Sequence, residues 1–236
     1  GAWGEEFGLD EGVRLWTDFF KPHLHPRTVG LLPPMTRREM GDAFVGGMGD
    51  APSAEVLEEE FDRFRRMLED CDRLAGVQVM TELCSGYGAF TARLLRYVRD
   101  EVRSPILALG CIGAPFLEAL EGGGGMAARL QCTSLGLAYD AFNELEVALM
   151  PVPVRDFPRL EGLAVQHSKP FHTSAVAALA LEVATRAFRA PGGPSMAEWC
   201  GAATAAGRFP ILSTEVAAPL PELRQWRELN ALAEGD

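Results

Sequence analysis

Ser85, Gly86 and Gly88 are the residues whose types and spacing best suit binding chemistry. They lie in a short turn between an apolar run at residues 77–83 and a helical pattern that begins at residue 90. A strand, a glycine turn and a helix direct backbone N–H groups and the positive end of the helix at one point, where a phosphate can bind. Two glycines also suit a plain strand-to-helix turn, so the spacing alone leaves both interpretations open.

The elements that must position this turn alternate between strands and helices. Apolar runs predict strands at 77–83, 106–112, 145–152 and 209–216. Apolar residues at helical spacing predict helices at 11–20, 54–76, 90–103, 126–142, 171–188, 195–206 and 222–233. The helix at 171–188 is apolar on every side over residues 175–181, so we expect it to be buried centrally. The alternation predicts an α/β fold with a largely parallel sheet.

The predicted α/β domain covers residues 11–216 and follows a loose, glycine-rich and acidic leader at 1–10. Within it, residues 33–53 form a long loop, which is either flexible or a binding loop. Glycines in that loop do not follow a strand, which favours flexibility over a phosphate cradle. Residues 217–236 are interpreted as a peripheral helix or the start of a further domain.

Composition excludes several classes of function. The 236-residue chain has a net charge of −11 and a pI near 4.9, which argues against sequence-independent nucleic-acid binding. Its five cysteines include no C-x-x-C pair, and His23 and His25 would face opposite ways on a strand, so we expect no metal site. No apolar run is long enough to span a membrane, so we expect no transmembrane segment.

Four arginines recur every three or four residues along the helix after the glycine turn. They are Arg93, Arg96, Arg99 and Arg103. This basic stripe is either a solvated face balanced by neighbouring acids or a surface on which a protein partner docks.

The turn also fits an S-adenosylmethionine loop locally. The pattern is Glu82-Leu83-x-x-Gly86-x-Gly88-x-x-Thr91-x-x-Leu94. Such a site needs an acidic residue at the end of the next strand to hold the ribose hydroxyls. The strand at 106–112 ends without a carboxylate, which counts against a methyltransferase.

Three segments resemble the Misato family, the tubulin-like proteins linked to mitochondrial distribution and morphology. The first joins Val13-Arg14-x-Trp16-x-Asp18-Phe19 to His23-Leu24-His25-Pro26-Arg27. The second runs over residues 71–101, and the third is Lys169-Pro170-Phe171-His172-x-Ser174-Ala175. They occur in the family's order, and ordinary tubulins lack the first. The resemblance implies a tubulin/FtsZ-like nucleotide-binding-type domain with a mostly parallel sheet, flanking helices and a buried central helix.

The same resemblance implies a function. A tubulin phosphate loop is richer in glycine, whereas this turn carries Cys84, Tyr87 and Phe90. We therefore expect a degenerate nucleotide pocket, no catalysis and no cofactor, with only Ser85, Gly86 and Gly88 suited to contact phosphate. The implied role is mitochondrial organisation through protein partners, with peripheral association at the outer mitochondrial surface and in the cytoplasm. A GTP-binding switch or GTPase is the alternative.

The resemblance has one further implication for the domain. The first strand and first phosphate loop of a tubulin-like protein have no counterpart in the sequence, so the domain is expected to be incomplete at its N-terminus.

Overall fold

The computed structural model describes residues 54–113, 125–154 and 169–214, together with 24–25, 28–30, 43–44, 46 and 122. The leader, the predicted helices at 11–20 and 222–233, and residues 217–236 lie outside the described residues. The elements are α1 (Ala54–Glu69), β1 (Val77–Glu82), α2 (Gly86–Glu101), β2 (Ile106–Ile112), α3 (Met126–Glu144), β3 (Ala148–Pro153), α4 (Pro170–Arg189) and α5 (Met196–Ala203).

The three strands form a parallel sheet in the order β1–β2–β3. Glu82 is paired with Cys111, and Cys111 with Val152, so the carboxyl ends of all three strands meet at one edge. Ile211 forms one parallel bridge to Leu149 beyond β3. The predicted α/β fold with a parallel sheet is confirmed, although the predicted strand at 209–216 is reduced to this bridge within the part described.

Helices cover both faces of the sheet, as parallel strands require. On one face, Ile106, Ala108 and Ile112 of β2 pack with residues of α1, α2 and α3. On the other face, Leu107 packs with α5 and Leu109 packs with α4. Side chains of a strand alternate between its two faces, so β2 supplies both cores.

The helix predicted to be buried at the centre, α4, is covered along one side only. Ala177, Ala180 and Thr185 are buried, whereas Ala178 is exposed and Val183 is 46% exposed. The alanine-rich sequence is apolar all round, but a three-stranded sheet covers only one side of the helix. Within the part of the chain described, α4 is therefore buried along the side that faces the sheet and exposed on its other side.

Two predicted boundaries were also wrong. Helix α1 ends at Glu69 rather than near Gly76. Gly76 instead gives room to another element, because a Cβ there would collide with the Sδ of Met196. Helix α2 begins at Gly86 rather than at residue 90, since Ser85 already caps it.

Strand β3 starts at Ala148, three residues later than predicted. Leu145 and Glu146 form a turn instead, and Glu146 has a left-handed φ of 51°. The backbone carbonyls of Leu145 and Glu146 in this turn accept hydrogen bonds from Arg99 of α2.

The long loop at 33–53 contains at least one anchored residue. Phe44 has a helical backbone and is fully buried in the core shared by α2 and α3. Its N–H donates to Ser134 Oγ at 3.1 Å. Packing and this hydrogen bond therefore hold Phe44 in the core.

Candidate functional site

The candidate turn lies at the carboxyl edge of the sheet, where ligands of open α/β folds bind. β1 ends at Glu82, and α2 starts four residues later at Gly86. Ser85, Gly86 and Gly88 are all buried there, whereas Tyr87 is 53% exposed. The structure therefore brings the three predicted residues together at a helix N-terminus.

Two backbone donors of this turn are engaged within the chain. Ser85 caps α2, and its Oγ accepts the N–H of Tyr87 at 3.2 Å. The N–H of Gly88 donates to the carbonyl of Ser85 at 3.0 Å. These are donors that a phosphate would use at a helix N-terminus.

Gly88 is explained by packing. A Cβ at this position would collide with the carbonyl oxygen of Leu83 and would lie 2.8 Å from that of Glu82. The first turn of α2 thus passes directly over the end of β1, and only glycine fits there. A substitution at Gly88 consequently reports on folding before it reports on any ligand.

Glu82 contributes a carboxylate at this edge of the sheet. Glu82 is exposed, and its carboxylate acts on the neighbouring thiols of Cys84 and Cys111. Burial, the Glu82 carboxylate and Cys132 together raise the pKa of Cys84 to about 12. Burial and then Glu82 raise the pKa of Cys111. Both thiols therefore stay protonated at neutral pH, so neither is suited to act as a nucleophile.

Two threonines tie the turn to the strand, a link that the sequence analysis missed. The hydroxyls of Thr81 in β1 and Thr91 in α2 lie 3.0 Å apart. Thr91 Oγ1 also donates to the carbonyl of Tyr87 at 2.8 Å. Thr81 lies in the strand predicted at 77–83, and Thr91 lies just after the glycine turn. Their polar side chains beside an apolar strand could have indicated this link.

The four arginines of the basic stripe do not form one surface, and Arg103 lies beyond the end of α2 at Glu101. Arg99 is half-buried and donates to three backbone carbonyls, those of Leu145 at 2.8 Å, Ser104 at 2.9 Å and Glu146 at 2.7 Å. Burial lowers the pKa of Arg99, and the Glu146 carboxylate opposes that shift. Arg96 is exposed and pairs with Glu144 at 3.2 Å. Interpreting all four arginines as a docking face was therefore wrong for Arg99.

The described residues contain no group of three histidine, cysteine, aspartate or glutamate side chains that could hold a metal ion. None of the helices in the described ranges is long and apolar enough to cross a membrane.

Comparison with known proteins places these features in context. A family profile described as a tubulin domain matches residues 9–189. Protein misato homolog 1 of Bos taurus is 30% identical over 196 residues, covering 77% of this chain and 33% of that protein. The Mus musculus homologue is 27% identical, covering 95% of this chain and 43% of its own length.

A more distant relative gives the same picture. Protein misato of Drosophila melanogaster is 25% identical over 217 residues, covering 86% of this chain and 38% of that protein. The chain thus spans between a third and about two fifths of the length of these relatives.

Proposed function

The chain belongs to the Misato family of tubulin-domain proteins, and on that premise we propose that it is a non-enzymatic organiser of mitochondrial distribution and morphology. It acts through protein partners, from the outer mitochondrial surface and the cytoplasm, with a nucleotide pocket that has degenerated. The observation that carries the degenerate pocket is the glycine turn, where the N–H groups of Tyr87 and Gly88 and the space beside Gly88 are used by the chain itself.

Hydrogen bonding supports a degenerate pocket. A phosphate cradle at a helix N-terminus needs backbone N–H groups free to point at the ligand. Here the N–H groups of Tyr87 and Gly88 are bonded to Ser85, and the space beside Gly88 is filled by the end of β1.

Electrostatics supports the same conclusion. Glu82 places a carboxylate at the strand end that leads into the turn, and like charge disfavours a phosphate beside it. The first turn of α2 has no acidic residue, and Glu82 is the acid that precedes it at the end of β1.

One observation favours the alternative, a GTP-binding switch. The turn lies at the carboxyl edge of a parallel sheet and opens a helix of 16 residues, which is where nucleotide phosphates sit in many α/β folds. The tubulin-domain match gives no support to the methyltransferase alternative.

Replacing Tyr87 with glutamate distinguishes a degenerate pocket from a working GTP-binding switch. Tyr87 is exposed at the start of α2, so Tyr87→Glu adds an acid where the helix dipole favours it and where a phosphate would be repelled. We expect Tyr87→Glu to restore mitochondrial distribution as fully as wild type in cells depleted of the full-length protein. The measurement is imaging of the mitochondrial network, with Tyr87→Gln as the neutral control of similar size.

Each alternative result is informative. Loss of rescue by Tyr87→Glu, with rescue retained by Tyr87→Gln, would support a working phosphate site. A normal mitochondrial network after depletion of the protein would contradict the mitochondrial role itself.

A further inference from the structure

Helix α3 has a buried face and an apolar outer face. Its buried residues are Ala128, Gln131, Ser134, Ala138, Ala141 and Phe142. Along one flank of that buried face, Met126, Leu130 and Leu137 are exposed by 80%, 43% and 37%, and exposed Thr133 lies between the two leucines. These four positions are separated by four, three and four residues, the spacing of a seam along which two helices pack.

The exposed charges of α3 oppose its own dipole. The helix has no acid in its first turn and no base in its last turn. Arg129 lies in the first turn, near the positive end, and Asp140 lies near the negative end. Glu144 is paired with Arg96, whereas Asp140 is exposed beside the apolar seam.

A second copy of the same helix, running antiparallel, would offset the unfavourable interactions of Arg129 and Asp140 with the helix dipole. The acid near the end of one helix would then face the first turn of the other, where Arg129 and the N-terminal N–H groups lie. A parallel pair would instead set each helix end beside the same end of its copy, so neither the Arg129 nor the Asp140 charge would be offset. Charge complementarity therefore selects an antiparallel, two-fold arrangement.

We propose that the outer face of α3 is the interface of a symmetric homodimer, formed by antiparallel packing of two α3 helices. Leu130 packs against the partner's Leu137, and the symmetry makes this contact twice. Thr133 lies near the two-fold axis. In the same register, Asp140 of the partner subunit faces the turn that carries Arg129.

The size of the seam sets the strength of the dimer. A helix of 19 residues is roughly 28 Å long, and its apolar seam covers three turns. A contact along a seam of this length buries less surface than the ~800 Å² per partner that is typical of stable complexes. We therefore expect a dissociation constant of about 1–100 μM.

Sedimentation velocity of the full-length protein across this concentration range tests the proposal. Leu137→Glu should weaken the dimer by more than about 100-fold, since it places two carboxylates in the seam. Arg129→Asp and Asp140→Arg should each weaken it by about tenfold, because symmetry breaks two ion pairs. The double variant Arg129→Asp/Asp140→Arg should recover the wild-type constant to within about threefold.

Folding of the variants is controlled independently. Arg129→Asp and Asp140→Arg each improve the match to the helix dipole, so the melting temperature of the dilute monomer should not fall. Met67→Glu is the matched surface control, because Met67 is 46% exposed on α1, away from α3, and its dimer should equal wild type. A wild-type protein that stays monomeric at ~100 μM would overturn the proposal. So would an unchanged Leu137→Glu dimer, or a double variant that does not recover.

Discussion

Gly88→Ala is expected to lower the free energy of unfolding by about 3 kcal/mol. The new Cβ would meet two backbone carbonyl oxygens, those of Leu83 and Glu82, and neither belongs to a flexible side chain that could move aside. The strand end and the first turn of α2 would have to separate, which disrupts the core around Leu83 and Ala89. Urea unfolding followed by circular dichroism measures the loss.

Gly136→Ala is the matched control. Gly136 also lies in a helix, but nothing is within 4 Å of a Cβ built there. The same substitution should raise the free energy of unfolding by about 0.5–1 kcal/mol, because alanine is the better helix former. Equal changes for the two variants at one protein concentration would show that Gly88 is not a point of close contact.

Removing Arg99 is expected to have an effect of similar size. Arg99→Ala should cost about 3 kcal/mol, since three backbone carbonyls lose a charged donor at once. The residue joins the last turn of α2 to the turn before β3, and Glu146 keeps its left-handed backbone there. Arg99→Lys should recover only part of the loss, because an ammonium cannot span the positions that the planar guanidinium reaches.

Arg96→Ala separates this effect from a general loss of positive charge. Arg96 belongs to the same helix and forms an exposed pair with Glu144, so its removal should cost less than about 1 kcal/mol. Chemical denaturation of the three variants under one set of conditions gives the comparison. Similar losses for Arg96→Ala and Arg99→Ala would mean that the carbonyl contacts contribute little.

The fold was predictable where the sequence signal is local. Strand β2 was placed at its observed bounds because an apolar run lies between Pro105 and Gly113. The starts of α3 and α4 were placed within one residue for a similar reason, since glycines precede one and Pro170 opens the other. The order of these elements was enough to predict the parallel sheet.

The errors depend on contacts between distant parts of the chain. Gly76 suited a helix end, yet its role is to admit Met196, which is 120 residues further along the sequence. Arg99 was read as part of a surface stripe because the carbonyls it binds lie in a turn whose backbone shape the sequence does not indicate. The burial of α4 depends on how wide the sheet is, and helical periodicity does not report that.

The strand-to-helix turn that carries the candidate residues was predictable from the sequence, whereas its internal contacts were not. Spacing placed Ser85, Gly86 and Gly88 at a strand-to-helix turn, and the structure has them there. The sequence gives no sign that Ser85 accepts the Tyr87 N–H or that Gly88 lies against the end of β1. Whether these three residues contact a phosphate stays a prediction.

Calorimetric titration of the full-length protein with Mg-GTP and Mg-GDP tests the degenerate pocket most directly. A degenerate pocket should give no saturable heat with either nucleotide, for wild type or for Tyr87→Glu, and no change in melting temperature. Saturable binding to wild type would contradict it, above all if Tyr87→Glu removed the binding while Tyr87→Gln kept it. A true ligand at 100 times its dissociation constant would also stabilise the fold by about 2.7 kcal/mol, so melting curves provide a second readout on the same samples.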